Sequence, residues 1–151
     1  MIFINNKSSS KYNIKKIYPM CEYVLNFNGC CNINIGFAGI GVVLYKNGEE
    51  LWGGCKFITH TNNNNEAEYN AIIYGLEEAI KNGINSLSVY GDNKLIINQL
   101  NGIHNTQIKN EKIFKLYHKV LVLKDSFDFI EFSHVLRKYN KRASDLANMS
   151  L

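Results

Sequence analysis

The sequence predicts an α/β domain built on a mixed five-stranded sheet, with helices on both faces and with the first three strands antiparallel. The order of the elements is the first observation, because three strand-like stretches come first and helices then alternate with two more strands. The second is a Lys-Asn-Gly turn between the second and third stretches, which is typical of a hairpin. The third is a long amphipathic helix before the fourth strand, which can serve as a crossover connection.

Three strands are expected at the start of the domain, at 22–27, 38–45 and 50–59. The first is rich in Tyr, Val, Leu and Phe and is expected to end at the turn signal of Asn28 and Gly29. The second, AGIGVVLY, is continuous and apolar. The turn at 46–48 then leads back into the third strand.

The rest of the chain alternates between helical and strand patterns. The long helix is expected at 65–82, with Gly83 as its C-terminal stop. The remaining elements are expected, in order, as a strand at 86–90, a short helix at 94–100, a helix at 109–123, a strand at 127–135 and a last helix at 141–150.

Composition excludes several classes of protein. With 46% apolar and 20% charged residues among 151, the chain fits one globular domain. It has no apolar run of the about 18 residues that span a bilayer and no secretory leader, so we expect no membrane association and a location in the cytoplasm or nucleus. The four cysteines match no zinc pattern and are expected to be reduced thiols.

The positive charge is concentrated at the N-terminus. Of the 17 basic residues, Lys7, Lys11, Lys15 and Lys16 lie in the first twenty, so the other 13 balance the 13 acids. We therefore expect a basic, flexible arm at 1–20 and a folded domain at 21–151. Attraction to phosphates and simple solubilisation both remain open as the role of the arm.

One acid of the long helix lies where no acid is expected. On a helical wheel Glu68 falls among Ile72, Leu76 and other apolar residues, whereas Glu66 and Glu77 fall on the opposite, solvated side. A carboxylate in a buried stripe is costly unless a metal ion or a proton neutralises it. The alternative is a capping box, in which Glu68 completes a helix start at Asn65.

Other candidate residues follow the ends of strands, where ligand sites gather in such sheets. Asp92 follows the fourth strand, with the N-cap of the next helix as its alternative role. Asn28 follows the first strand, with a turn as its alternative. The segment after the fifth strand is basic, which also suits a solvated helix face; it contains His134, Arg137, Lys138, Lys141 and Arg142.

Four segments, in this order, together resemble the type 1 ribonuclease H family in its archaeal, bacterial and plant-like branch. They are LNFNGCCNINIGFAGIGVVLY, NNEAEYNAIIYGLEEA, VYGDNKLIINQLNG and HVLRKYNKRASDLAN. The resemblance covers 23–151 and implies the ribonuclease H-like sheet described above. The basic helical handle of some members is absent from the stretch before Lys109.

The resemblance implies an enzyme that cleaves the RNA strand of an RNA–DNA hybrid with two magnesium ions held by four carboxylates. Glu68 and Asp92 match the second and third of these carboxylates. Asn64 and Asn65 match residues that contact the hybrid backbone. A basic residue that assists product release matches His134 or the nearby Arg137.

Two positions depart from the family pattern. The first aspartate falls on Asn28 and the fourth on Ser144, while Asp145 is one residue off and should point elsewhere on its helix. Asn28 offers only a neutral carbonyl oxygen, so binding of Mg²⁺ or Mn²⁺ should be weakened.

Three functions therefore remain open. The first is a weakened or inactive ribonuclease H that binds an RNA–DNA hybrid or structured RNA through Asn64, Asn65, Arg137, Lys138 and Lys141. The second is an active or residual metal-dependent endonuclease. The third is a protein-interaction module.

Overall fold

The computed structural model describes residues 21–61 and 63–151, so the arm expected at 1–20 lies outside the described residues. In these residues the strands are β1 (Tyr23–Asn32), β2 (Phe37–Lys46), β3 (Glu49–Ile58), β4 (Ser86–Gly91) and β5 (Phe129–His134). The α-helices are α1 (Asn64–Lys81), α2 (Lys94–Leu100), α3 (Glu111–Lys124) and α4 (Lys141–Met149). Single 3₁₀ turns lie at Asn105–Gln107 and Arg137–Tyr139.

The five strands form one mixed sheet in the order β3-β2-β1-β4-β5. β1 pairs with β2 and β2 with β3 in antiparallel fashion, whereas β1 with β4 and β4 with β5 are parallel. The hairpin turn between β2 and β3 has φ of 51° at Asn47 and 85° at Gly48, as a two-residue turn with two left-handed positions requires. The predicted fold class is confirmed.

β1 is longer than the sequence predicted. Asn28 pairs with Gly41 and Gly29 with Ile40 in the ladder to β2, and the strand continues to Asn32. The expected turn at Asn28 and Gly29 is wrong, because the long apolar β2 offers backbone partners along its whole length. Asn28 is therefore a side chain within a strand, held at the centre of the sheet.

Helices cover both faces of the sheet. On one face α1 packs Ile72 and Leu76 into a core with Leu25 and Phe27 of β1. On the other face α4 approaches β2 so closely that a Cβ at Gly41 would lie 2.3 Å from a carbonyl oxygen of α4. Among the described residues, none of the helices is long and apolar enough to cross a membrane.

Both capping alternatives for the candidate acids are wrong. α1 begins one residue earlier than expected, and its N-cap is Asn63, whose Oδ1 accepts from the backbone of Asn65 at 2.7 Å. α2 is capped by Asn93, whose Oδ1 accepts from the backbone of Ile96 at 3.3 Å. Glu68 and Asp92 are thus not needed to cap either helix.

Glu66 was expected on the solvated side of α1, and this is also wrong. It is only 3% exposed, and Lys112 Nζ of α3 lies 2.8 Å from its Oε1. The contact is an ion pair without hydrogen-bond geometry. α3 packs along α1 and buries a second stripe that a helical wheel of α1 alone does not reveal.

Candidate functional site

Polar side chains from β1, α1, β4 and the β5–α4 turn meet at one end of the sheet. They border an open cleft of about 510 Å³. The cleft is lined by Gly29, Cys30, Asn64, Glu68, Asp92, Asn93, Lys94 and Arg137. Parallel pairing of β1 with β4 and of β4 with β5 places their carboxyl ends at this edge, as expected for a ligand site in such a sheet.

Close packing of α1 on β1 brings Glu68 into the cleft. A Cβ at Gly29 would lie 2.4 Å from the backbone of Ala67, so this approach requires glycine. Glu68 is 5% exposed, and its Oε2 has no hydrogen-bond partner among the described residues. Burial, and next the negative charge of Asp92, raise the pKa of Glu68 to about 8, against smaller lowering contributions from the Gly29 backbone and Arg137.

Asp92 follows β4 directly and is also largely buried, with a side chain 9% exposed. Its Oδ1 accepts a hydrogen bond from Asn28 Nδ2 at 3.3 Å. Its Oδ2 has no hydrogen-bond partner in the described part of the chain, and Arg137 Nε lies 3.8 Å away. Asn28 thus holds one oxygen of the Asp92 carboxylate, and the other oxygen can still accept a hydrogen bond or bind a cation.

Asn28 presents an amide donor where the family pattern has an acid. It is 4% exposed within β1, and its donated hydrogen bond fixes the amide against Asp92. Asn140, at the start of α4, donates from Nδ2 to the carbonyl of Phe27 at 2.8 Å and ties α4 to this strand. Hydrogen bonds therefore hold the side chains of Asn28 and Asn140 in the interior of the site, which carries two acids.

The other position that departs from the family pattern lies on α4. Ser144 is half-buried there, whereas Asp145 is paired with Lys141 Nζ at 3.2 Å on the exposed side of the helix. The spacing of the sequence predicted that Asp145 points elsewhere. Within 21–61 and 63–151, no group of three or more His, Cys, Asp and Glu side chains is arranged to hold a metal ion.

The residues present fit one divalent cation better than two. Glu68 Oε2 and Asp92 Oδ2 are buried oxygens without hydrogen-bond partners in the described residues, and a hard cation satisfies such oxygens. Asn28 adds at most a neutral carbonyl oxygen. Two carboxylates neutralise the charge of one such ion and leave a second one uncompensated.

Asn64 lines the cleft and Asn65 contacts Asn93, which also lines it; the carbonyl oxygens of both Asn64 and Asn65 accept hydrogen bonds. Asn64 Oδ1 accepts from the backbone of Cys31 at 2.9 Å, and Asn65 Oδ1 accepts from Asn93 Nδ2 at 2.9 Å. Fixing the carbonyls also fixes the amide groups, which are the donors that a phosphate needs.

The structure places some of the basic residues expected near the site at the cleft and others away from it. Arg137 lines the cleft, and His134 is the last residue of β5, paired in register with Gly91 next to Asp92. Lys138 is exposed beside the ring of Tyr139, and Lys141 pairs with Asp145. Lys94 also lines the cleft and was missed, although its position two residues after Asp92 was a usable signal.

A family model described as "Reverse transcriptase-like" matches residues 26–150. Ribonuclease HI of Halobacterium salinarum is 34% identical over 127 residues, which are 83% of this chain and 62% of that protein. Bifunctional protein Rv2228c of Mycobacterium tuberculosis is 32% identical over 128 residues, 84% of this chain and 35% of that protein. The chain thus spans less than two thirds of the length of these curated relatives.

Solved structures show the same fold. RNase H1 from the halophilic archaeon Halobacterium salinarum has a TM-score of 0.79 at 31% identity, over 85% of this chain and 96% of that one. LC11-RNase H1 in complex with an RNA/DNA hybrid has a TM-score of 0.77 at 29% identity, over 85% of this chain and 95% of that one.

Proposed function

Because this chain belongs to the ribonuclease H family, we propose that it binds RNA–DNA hybrids at the cleft and that its cleavage activity is strongly weakened. The relative LC11-RNase H1 was solved with such a hybrid, and this chain shares its fold with a TM-score of 0.77. The proposal concerns this domain, since the curated relatives are longer.

The hydrogen bond from Asn28 to Asp92 is the observation that carries the proposal. An aspartate at this position would repel Asp92 and would need metal ions to hold both charges. The amide instead donates to Asp92 and stabilises the site without a metal. The cleft is therefore compatible with a binding function that does not depend on a full set of ions.

The formal charges of the cleft also favour a phosphate-bearing ligand. Glu68 and Asp92 are balanced by Lys94 and Arg137, all four of which line the same cleft. A cleft with four carboxylates repels phosphates until metal ions enter, whereas this one carries no formal excess of negative charge. Cationic side chains and the amide of Asn64 are the usual donors to a nucleic-acid backbone.

Glu68 and Asp92 are the residues that would hold a single Mg²⁺ or Mn²⁺ ion, with a weak contribution from Asn28. When bound, such an ion supplies Lewis-acid stabilisation of phosphate charge and lowers the pKa of a coordinated water. The chain's own residues position the backbone: Arg137 and Lys94 attract phosphates, and His134 stands beside the cleft to assist product release.

Residual cleavage is the second candidate function. Glu68 Oε2 and Asp92 Oδ2, which are buried and have no hydrogen-bond partner within the described part of the chain, favour it, because such oxygens retain affinity for a cation. Manganese tolerates looser coordination than magnesium, so any residual activity is expected in Mn²⁺ first.

The test compares hybrid binding and hybrid cleavage in the wild type and in an Asn28→Asp/Ser144→Asp variant. We expect the wild type to bind a labelled hybrid in EDTA and to cut it only slowly in Mg²⁺. The double variant is expected to cut about a hundredfold faster or more, equivalent to about 2.7 kcal/mol of transition-state stabilisation. Gel separation of the labelled RNA strand measures both rates.

A matched control adds the same two charges away from the cleft. Asn85→Asp/Ser126→Asp places them at exposed positions shortly before β4 and β5, at the end of these strands away from the cleft, and it is expected to leave cleavage unchanged. Efficient cleavage by the wild type would contradict the weakened site. Failure to bind any hybrid or RNA would leave a protein-interaction module as the better explanation.

A further inference from the structure

The turn between β5 and α4 exposes apolar side chains at the edge of the cleft. Leu136 is 57% exposed and Tyr139 is 49% exposed. Arg137, between them, lines the cleft, and Lys138 Nζ lies 5.1 Å from the centre of the Tyr139 ring. An exposed aromatic ring among cations, next to a cleft that suits phosphates, has the chemistry that stacks a nucleobase while its phosphates are bound.

This turn is held rigidly against the sheet. Residues Arg137–Tyr139 form one 3₁₀ turn, in which the backbone of Tyr139 donates to the carbonyl of Leu136 at 2.9 Å. The next residue, Asn140, is fully buried and is bonded to the carbonyl of Phe27 in β1. The backbone of Tyr139 is thus held in place before a ligand arrives, which reduces the entropy lost on binding.

A fully paired hybrid cannot use such a ring well. In a duplex each base is stacked between its neighbours, so only an unpaired or terminal base has a free face for an aromatic side chain. Arg137 and Lys138 can hold the phosphates that flank such a base, since the side chain of Arg137 is 85% exposed.

We propose that the turn Leu136–Tyr139 is a stacking platform for an unpaired nucleobase, so that the chain favours hybrids with a single-stranded extension over blunt hybrids. This rests on the hybrid binding proposed above. It identifies the ligand as a junction between paired and unpaired nucleic acid, with the paired part in the cleft and the first unpaired base on Tyr139.

The experiment measures binding in EDTA to one hybrid in three forms: blunt, with an RNA extension at the 5′ end, and with an RNA extension at the 3′ end. Each extension carries 2-aminopurine, whose fluorescence is quenched when it stacks. We expect the wild type to bind one extended form about tenfold more tightly than the blunt form, with quenching. Tyr139→Ala should abolish both effects and leave binding of the blunt hybrid unchanged.

Two further variants separate stacking from other causes. Tyr139→Phe keeps the ring and should retain both the preference and the quenching. Phe129→Ala removes another partly exposed ring, 38% exposed at the opposite end of β5, and should change nothing.

Each contrary outcome has a distinct meaning. Equal binding of blunt and extended hybrids by the wild type overturns the stacking platform and leaves hybrid binding standing. A preference that survives Tyr139→Ala, or an equal loss for blunt and extended forms in that variant, also overturns it. A wild type that binds extended hybrids but no blunt hybrid contradicts binding of the paired part in the cleft and overturns both proposals, as does the absence of any binding.

Discussion

Two glutamates of α1 are equally buried, yet their surroundings are opposite. Glu66 is 3% exposed and has Lys112 Nζ at 2.8 Å. Glu68 is 5% exposed, and the charge that affects its pKa most is the negative charge of Asp92. Burial of charge is common to both, so burial alone does not mark a functional acid. What distinguishes Glu68 is that no lysine or arginine of the described residues forms an ion pair with it, which is typical of a site that takes a cation or a proton from solution.

Among the substitutions that test this comparison, Glu68→Gln should change the free energy of unfolding most. With its pKa raised from 4.5 to about 8, Glu68 keeps its proton in the folded state where the unfolded chain has released it. Stability therefore falls as the pH rises from about 4.5 to about 8. Glutamine removes this loss, so at about 1.36 kcal/mol for each pH unit of the shift we expect the unfolding free energy in EDTA to rise by about 4 kcal/mol at pH 8 and to be nearly unchanged at pH 4.

Glu66→Gln is the matched control, two residues away on the same helix. Because it removes one partner of an ion pair, it should lower the unfolding free energy at pH 8, opposite in sign to Glu68→Gln. Urea unfolding at both pH values measures the two changes. Destabilisation by both substitutions would mean that Glu68 has a partner after all.

The second prediction concerns Lys112, the cation that pairs with Glu66. Lys112→Met keeps the aliphatic stem but removes the ammonium group from Glu66 and from the carbonyl of His60, which it contacts at 2.8 Å. A buried carboxylate then loses its cation. Since Lys112 is itself 57% exposed and partly screened, we expect a loss of about 2 kcal/mol, below the full cost of breaking a buried pair.

Lys115→Met provides the contrast on the same helix. Its partner Glu111 is 3.5 Å away and both side chains are exposed, so the change should stay below about 0.5 kcal/mol. Thermal unfolding of the two variants gives the comparison. If Lys112→Met and Lys115→Met cost the same, the Glu66 pair contributes no more than an ordinary surface pair.

The sequence predicted most of the fold because its hairpin turn, helix stop and strand patterns are local signals. The prediction failed where contacts with elements distant in the sequence determine the structure. Asn28 and Gly29 are a turn signal on their own, but β2 supplies backbone partners that extend the strand through them. Glu66 looks solvated on a wheel of one helix, and only the packing of α3 buries it.

In the candidate site, too, local signals could be predicted and contacts between distant residues could not. Glu68 and Asp92 could be singled out because an acid on an apolar stripe and an acid at the end of a strand are unusual in themselves. The hydrogen bond between Asn28 and Asp92 joins residues 64 positions apart, so no local pattern predicts it. Lys94 had a usable signal in its position two residues after Asp92, but the direction in which α2 leaves β4 determines that it lines the cleft.

The smallest expected effect concerns the residue that sets the positions of both glutamates. With Asn63 as the N-cap, Glu66 lies in the first turn of α1 and Glu68 beyond it, free of capping. Asn63→Ala should lower the unfolding free energy by about 1 kcal/mol, whereas Asn63→Asp keeps the acceptor and should cost little. Equal losses in chemical denaturation would mean that another residue caps the helix; a start at Asn65 would return Glu68 to a capping position and remove the contrast with Glu66.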